Sequence, residues 1–294
     1  MIKSYLLNLR PYSWVDIIML GFLAKFSVTG SLAFELADLF AVAGLLGLWF
    51  FFNLILEIKH DYDYRKKVSV IPAVFFLLAA SILGFSVNPL SFVFVIVSTI
   101  FVLMYLKKAD NKTFGMMSSP IRGIIQAAYF IYALFFFTPS LNKSAVILAL
   151  LIFVLYTARA IVGDIRDVKQ NKKSGKNTWA VAFDEDACRM FCAAVLLACA
   201  GLQIVYFGSY LISTPLILFA LLLLFCPNGY VLHQLMVMTT LFFQINMISF
   251  FTSQSMLFVN LIYLGVYLNM IFYPLLQRKS NPVFVQENKI RFIV

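Results

Sequence analysis

Long apolar runs separated by short polar connections dominate the pattern along this chain of 294 residues. Each run is close to the roughly 20 residues that a helix needs to cross a bilayer core of about 30 Å. The breaks between them carry turn-forming pairs such as Asn88-Pro89 and Thr138-Pro139. The pattern predicts ten spanning helices, at residues 14–31, 36–58, 68–85, 90–106, 120–137, 145–162, 187–207, 210–226, 231–251 and 256–276.

These runs indicate an all-α fold, a polytopic bundle of membrane helices. Nine spans are the alternative, if one of the last two runs re-enters the membrane or lies on its surface. We expect one transmembrane domain over residues 1–294, with similar halves at about 11–108 and 118–226. Extra C-terminal helices follow at 231–277 and a tail at 278–294. Residues 1–10, which end in Arg10 before Pro11, are predicted to form an amphipathic helix on the membrane.

Composition supports the membrane interpretation, because 62% of the residues are hydrophobic and only 12% are charged. A soluble domain is nearer half apolar and a quarter charged. The net charge of +10 is concentrated in the N-terminal arm, the even-numbered connections and the C-terminal tail, while the odd-numbered connections hold only Lys143. Positive residues stay in the cytoplasm. We therefore expect both termini on that side of a cytoplasmic or inner membrane, and no nucleic-acid partner.

Lys25 and Asp38 fall inside predicted spans, where an unpaired charge costs several kcal/mol. We expect Lys25 to snorkel or to pair with Asp38. The four cysteines have no metal-ligand spacing and are interpreted as small apolar packing residues: Cys188, Cys192, Cys199 and Cys226.

Two polar stretches at the ends of the second and sixth spans are not explained by membrane burial. Five of the thirteen acidic residues of the chain lie in them. Spacings of i, i+4, i+8 and of i, i+3, i+7 place each set on one helix face. The first set is Asn53, Glu57 and Asp61, and the second is Asp164, Asp167 and Asn171.

Facing carboxylates at one end of a bundle suit Mg²⁺, a cation that takes oxygen ligands and leaves room for phosphate oxygens. Neighbouring lysines would clamp the outer oxygens of a diphosphate, and the apolar helices would suit a lipid tail. The alternative is that both stretches are solvated helix ends.

The order and spacing of these residues resemble the UbiA superfamily of intramembrane prenyltransferases over about residues 10–250. Asn53, Glu57 and Asp61 are similar to the first acidic motif of that family, and the stretch from Asp164 to Asn171, followed by Gly175-Lys-Asn-Thr178, is similar to the second. Further similarity lies in Arg10-Pro11-x-x-Trp14 and in the basic stretch Tyr105-Leu-Lys107-Lys108.

The resemblance implies a helical bundle around a central cavity, with the two motifs facing each other at a cytoplasmic active site. It implies Mg²⁺-dependent transfer of an isoprenyl group from an allylic prenyl diphosphate to a lipophilic or membrane-surface acceptor. Asp61, Asp164, Lys107 and Lys108 would be catalytic. Lys107 and Lys108 would bind the diphosphate, and we add Arg122, expected in the first turn of the fifth helix. The metal set would be Asn53, Glu57, Asp61, Asp164, Asp167 and Asn171.

Two departures from the family pattern remove carboxylates: Leu54 replaces an aspartate in the first motif, and Asn171 replaces one in the second. Fewer anionic ligands are expected to weaken Mg²⁺ binding or to change the activity. The alternatives are a terpene cyclase of the same superfamily, in which the substrate's own double bonds attack the cation, and a non-catalytic lipid-binding protein or transporter.

Overall fold

The computed structural model describes residues 9, 13–31, 33–60, 69–109, 112–208, 210–226 and 228–252, and the regular elements among them are helical. A 3₁₀ turn, Leu106–Ala109, follows the fourth helix. The helices are α1 Trp14–Thr29, α2 Leu36–His60, α3 Val70–Val87, α4 Pro89–Tyr105, α5 Lys112–Leu134, α6 Lys143–Arg166, α7 Val168–Lys173, α8 Trp179–Ala182, α9 Glu185–Phe207, α10 Tyr210–Phe225 and α11 Gly229–Thr252.

Each predicted run up to residue 251 coincides with one of these helices. The run at 256–276, the tail at 278–294 and nearly all of the N-terminal segment 1–10 lie outside the described residues. Six described helices, α2, α3, α4, α6, α9 and α11, are long and apolar enough to cross a membrane. The count of nine or ten spans, the division into halves and the sidedness stay predictions.

Polar residues at the helix ends set the boundaries. The side chains of Asn88 and Asn142 accept hydrogen bonds from the first backbone N–H groups of α4 and α6. Pro89 occupies the first position of α4, where no N–H donor is needed. Gly30 and Gly208, both with positive φ, end α1 and α9 in the left-handed conformation.

The helices α1, α2, α5, α6 and α11 pack against one another in the middle of the bundle, with α3 and α4 on one side and α9 and α10 on another. The outer helices α3 and α4 expose large apolar side chains such as Phe75, Leu78 and Ile96. Continuous exposed apolar faces of this kind fit contact with lipid tails.

A close approach of two helices lies between α5 and α6, at Gly123. A Cβ atom there would lie 2.2 Å from Thr157 Oγ1 and 2.3 Å from the carbonyl oxygen of Phe153. Small residues allow helix backbones to approach closely inside a membrane. Gly123 therefore sets the separation of the two helices that carry the candidate site.

The expected start of the fifth helix at Pro120 is wrong, because α5 begins at Lys112 and contains Pro120. A proline has no N–H to offer the carbonyl four residues earlier. That carbonyl belongs to Met116, and the indole Nε1 of Trp179 donates to it at 2.6 Å. A side chain at the start of α8 thus supplies the hydrogen bond that the proline removes, so the helix continues through it.

The expected pairing of Lys25 with Asp38 is confirmed. The ammonium of Lys25 lies 2.6 Å from Asp38 Oδ2, and both side chains are buried. Lys25 also donates to the carbonyl of Ala33, and the backbone N–H of Glu35 donates to Asp38 Oδ2. The pair fixes the loop between α1 and α2 and keeps both charges compensated.

Candidate functional site

Asp164, at the end of α6, is the centre of the candidate site. Its side chain is only 5% exposed. Lys108 Nζ lies 2.9 Å from Oδ1, and the hydroxyl of Ser119 donates to Oδ2 at 3.0 Å. Lys108 comes from the 3₁₀ turn after α4 and Ser119 from α5. Three separate elements therefore converge on one buried carboxylate.

Asp167 does not continue the helix of Asp164 as the spacing predicts. It forms the junction between α6 and α7 with φ −99° and ψ 11°. Both of its carboxylate oxygens accept hydrogen bonds from Arg166, at 2.7 and 2.6 Å. The nearest nitrogen of His233, on α11, lies 3.1 Å from Arg166 Nη1. The predicted continuous acidic stripe is thus broken into two parts with different partners.

Asn171 on α7 is buried and anchors the loop that follows. Its Nδ2 lies 3.4 Å from Thr178 Oγ1, and its carbonyl accepts from the backbone N–H of Lys176 at 2.9 Å. Gly175 turns the chain with φ +69°, a conformation that favours glycine. The loop also packs on α5, where a Cβ at Gly115 would lie 2.6 Å from the carbonyl of Asn177. Asn171 therefore has a structural role in this state.

Lys176, in this loop, is a further cation close enough to the acidic residues to interact with them electrostatically. Burial lowers the pKa of its ammonium, and the positive charge of Lys108 lowers it further, while Asp167 and Asp164 oppose the shift. Lys176 therefore lies within electrostatic range of both carboxylates and of Lys108. The sequence prediction placed it only among the topology-setting charges.

The first motif lies on the last turns of α2, which continues to His60 as the i, i+4, i+8 spacing requires. Asn53 is fully buried, and its Nδ2 donates to the carbonyl of Trp49 at 2.8 Å. Its Oδ1 has no hydrogen-bond partner within the described part of the chain. Glu57 is half-buried. Asp61 lies outside the described residues.

Arg122 lies in the third turn of α5, not in the first turn as expected, because the helix begins at Lys112. Its guanidinium stacks over the rings of Phe52 and Trp49, at 4.3 and 4.8 Å from their centroids. It is one turn deeper in the bundle than Ser119. Lys107 is exposed, and its ammonium lies 5.5 Å from the centroid of the Phe114 ring.

A buried polar network between α1, α6 and α11 was missed by the sequence prediction. Asp16 accepts a hydrogen bond from Tyr156 and another from Arg159 Nη1 at 2.8 Å. Gln244 donates to Tyr156 at 3.0 Å, and Arg159 also donates to Thr240 at 3.0 Å. The signal was present in the sequence, because a carboxylate inside the apolar run 14–31 requires a partner.

The oxygen donors fit Mg²⁺ in kind, although among the described residues no three acidic, histidine or cysteine side chains converge closely enough to hold a metal ion. A hard cation prefers carboxylate and amide oxygens. Asp164 supplies a buried carboxylate, and the unpartnered Oδ1 of Asn53 is the kind of buried atom that a bound cation would satisfy. Two protein cations, Lys108 and Arg166, occupy the carboxylates of Asp164 and Asp167.

Solved structures with similar folds include a digeranylgeranylglyceryl phosphate synthase, at a TM-score of 0.67 and 16% identity over 86% of this chain and 99% of that chain. A UbiA homologue from Archaeoglobus fulgidus bound to DMAPP and Mg²⁺ matches with a TM-score of 0.62 and 15% sequence identity, over 85% of this chain and 100% of that one. The apo UbiA homologue from Aeropyrum pernix K1 matches with a TM-score of 0.58 and 15% sequence identity, over 79% of this chain and 96% of that one. No curated protein matches this chain by sequence.

The structural similarity establishes a UbiA-type fold, and the sequence profile of the UbiA prenyltransferase family matches residues 64–241. This range covers well over half of the chain and includes Lys108, Asp164 and Asp167. Together with the six long apolar helices, it makes the protein an integral membrane protein. The chain belongs to the UbiA prenyltransferase family.

Proposed function

We propose that the protein catalyses Mg²⁺-dependent transfer of an isoprenyl group from an allylic prenyl diphosphate to a lipophilic or membrane-surface acceptor. Prenyl transfer is the activity for which the family is named. The observation that carries the proposal is the convergence of Lys108 and Ser119 on the buried carboxylate of Asp164. A basic and an acidic group at the end of apolar helices suit a ligand with a charged head and a hydrocarbon tail.

In the proposed reaction the allylic carbon–oxygen bond breaks, and the electron pair leaves with the diphosphate. The acceptor then attacks the allylic cation, a new bond forms, and the acceptor loses a proton. Lys107, Lys108 and Arg122 stabilise the charge that develops on the departing diphosphate. Bound Mg²⁺ supplies further neutralisation of that charge.

For the metal we propose oxygen ligands from both motifs. Asn53, Glu57 and Asp61 come from the first, and Asp164, Asp167 and Asn171 from the second. The neighbour from Archaeoglobus fulgidus was solved with DMAPP and Mg²⁺, and again with GPP and Mg²⁺, which supports this assignment. Because Leu54 and Asn171 stand where the family pattern has carboxylates, we expect Mg²⁺ to bind more weakly than to a full motif.

Aromatic residues beneath the site suit the hydrocarbon part of the substrate. Trp49 and Phe52 are buried on α2 and already hold the guanidinium of Arg122 against their faces. Ring faces attract cations, so a face of this aromatic layer that Arg122 does not cover can stabilise an allylic cation. We therefore place the reacting carbon between the Asp164 end of the bundle and this aromatic layer.

The test is incubation of the purified full chain in nanodiscs with Mg²⁺, a panel of prenyl diphosphates and a membrane lipid extract as the source of acceptor. Mass spectrometry of the extracted lipids should show prenylated products that disappear when EDTA is added. A cyclic hydrocarbon formed from prenyl diphosphate alone would replace the proposal with a cyclase. Intact prenyl diphosphate in every reaction would contradict both, and a liposome flux assay would then test transport.

Sidedness follows from the same proposal. The site lies at the ends of α2 and α6 and beside the turn after α4, where the lysine-rich connections begin. Positive residues are retained in the cytoplasm, so we place the active site on the cytoplasmic face. This matches the expected location of a charged, water-soluble diphosphate head group.

A further inference from the structure

Arg166 and Asp167 form a two-point contact at the end of α6. Arg166 Nε lies 2.7 Å from Asp167 Oδ1, and Nη2 lies 2.6 Å from Oδ2. This fork-to-carboxylate geometry is among the strongest hydrogen-bonded ion pairs in proteins. Arg166 bonds both carboxylate oxygens of Asp167. A metal ion that binds Asp167 must therefore compete with Arg166.

The remaining nitrogen of the guanidinium faces α11. Nη1 lies 3.1 Å from His233 Nδ1. A guanidinium can only donate, so this imidazole nitrogen accepts and does not carry a proton. The start of α11 presses on the same segment, since a Cβ at Gly229 would lie 3.1 Å from the Cα of Arg166. Arg166 thus keeps one fixed neighbour while its other two nitrogens hold Asp167.

Positive charge accumulates around this pair. Lys108 forms an ion pair with Asp164. Burial lowers the pKa of the Lys176 ammonium, and the positive charge of Lys108 lowers it further. Arg166 is paired with the second carboxylate, Asp167. Neutralising Asp167 with a metal cation would leave Arg166 without its counter-charge, and an anion placed among these three cations would restore the balance.

We propose that Arg166 is a further diphosphate-binding residue, held on Asp167 until a divalent cation takes that carboxylate and then turned onto the diphosphate oxygens. The inference rests on the proposed function. The guanidinium fork of Arg166 matches phosphate oxygens as well as it matches a carboxylate. His233 is then a positioning residue, which holds one nitrogen of Arg166 while the partner of the other two changes.

Two binding constants of the purified full chain test this. The first is the Kd of Mn²⁺ alone, measured by electron paramagnetic resonance. The second is the Kd of geranyl diphosphate at saturating Mg²⁺, measured by calorimetry. In Arg166→Gln we expect Mn²⁺ to bind about fivefold more tightly and geranyl diphosphate about tenfold more weakly, since the cation that is lost both competes for Asp167 and binds the diphosphate.

A purely structural role of Arg166 would not move the two constants in opposite directions. Lys169→Gln is the matched control, because it removes an exposed cation three residues further along and should change neither constant more than about twofold. Arg166→Lys keeps the charge without the fork and should give intermediate values for both ligands. It also covers the case in which Arg166→Gln does not fold.

Arg166 variants that bind geranyl diphosphate like the wild type, or that lose both ligands together, overturn the proposal. A wild-type protein that binds no geranyl diphosphate contradicts the proposed function instead. The two failures are therefore separate results of the same titrations.

Discussion

Lys108 and Asp164 lie 2.9 Å apart, although 56 residues separate them in the chain. The contact joins the basic turn after α4 to the acidic end of α6. Both residues were chosen from the sequence for roles at one diphosphate site. Their juxtaposition makes the ion pair a unit, in which the lysine compensates the buried carboxylate until ligands arrive.

The two adjacent lysines should differ in importance. Lys108 is held by Asp164, whereas Lys107 is exposed beside Phe114. We expect Lys108→Met to raise the KM for prenyl diphosphate about tenfold or more, and Lys107→Met to raise it less. A partly buried, hydrogen-bonded ammonium contributes more to binding than a solvent-exposed one. Steady-state kinetics of both variants at saturating Mg²⁺ check this. An equal effect of the two would contradict the ranking.

The close approach at Gly123 should couple packing to activity. In Gly123→Ala the new methyl would meet Thr157 and the Phe153 carbonyl, so α5 and α6 must separate and Ser119 must move away from Asp164. We expect a loss of about 1–3 kcal/mol in stability from this overpacking, with a lower kcat.

Gly201→Ala is the control for that substitution. Gly201 is also helical, but a Cβ there meets nothing within 4 Å. Alanine should leave the thermal midpoint in detergent unchanged or raise it slightly, because it favours helix over the unfolded chain. A Gly123→Ala protein that melts and turns over like Gly201→Ala would show that the α5–α6 separation does not matter.

The ion pair of Asp16 and Arg159 should be important for stability. Arg159→Leu leaves the Asp16 carboxylate buried with only Tyr156 and Gln244 as partners, and breaking a buried pair costs about 3–5 kcal/mol. The double variant Asp16→Asn/Arg159→Leu removes both charges and should recover part of the loss. Thermal melts of the wild type, Asp16→Asn, Arg159→Leu and the double variant measure the coupling, and additive losses would show that the residues act independently.

Trp179 should stabilise the helix around Pro120. Trp179→Phe keeps an aromatic side chain but removes the indole N–H that donates to the Met116 carbonyl, so we expect a loss of about 1 kcal/mol in stability. Hydrogen exchange should increase locally at the start of α5, where the carbonyl loses its partner. Unchanged exchange in that segment would show that the indole is not needed to support the proline.

Hydropathy was sufficient to locate the helices, because roughly 20 apolar residues in sequence have few alternatives to a membrane helix. It failed at the start of α5, since the donor that supports Pro120 is Trp179, 63 residues away from Met116. Spacing correctly grouped Asn53 with Glu57 on α2. It could not show that the chain breaks at Asp167 or that Arg166 takes that carboxylate.

The missed residues have short side chains or depend on pairing over long distances. Ser119 carries no signal in the sequence, and its contact with Asp164 arises only when α5 packs on α6. The charges of Lys25 and Asp38 were paired correctly, because both fall within apolar runs close together along the chain. Asp16 and Arg159 are 143 residues apart, and three-dimensional packing was needed to join them.

The most direct test of the central claim is Mg²⁺-dependent release of diphosphate from an allylic prenyl diphosphate, with lipid extract as acceptor, in wild type and Asp164→Asn. Asp186→Asn, which removes an exposed carboxylate at the start of α9, is the control. We predict release of diphosphate by the wild type and the control. In Asp164→Asn we expect the rate to fall by about 100-fold or by a larger factor. Release by Asp164→Asn at the wild-type rate, or none from the wild type, would contradict the account.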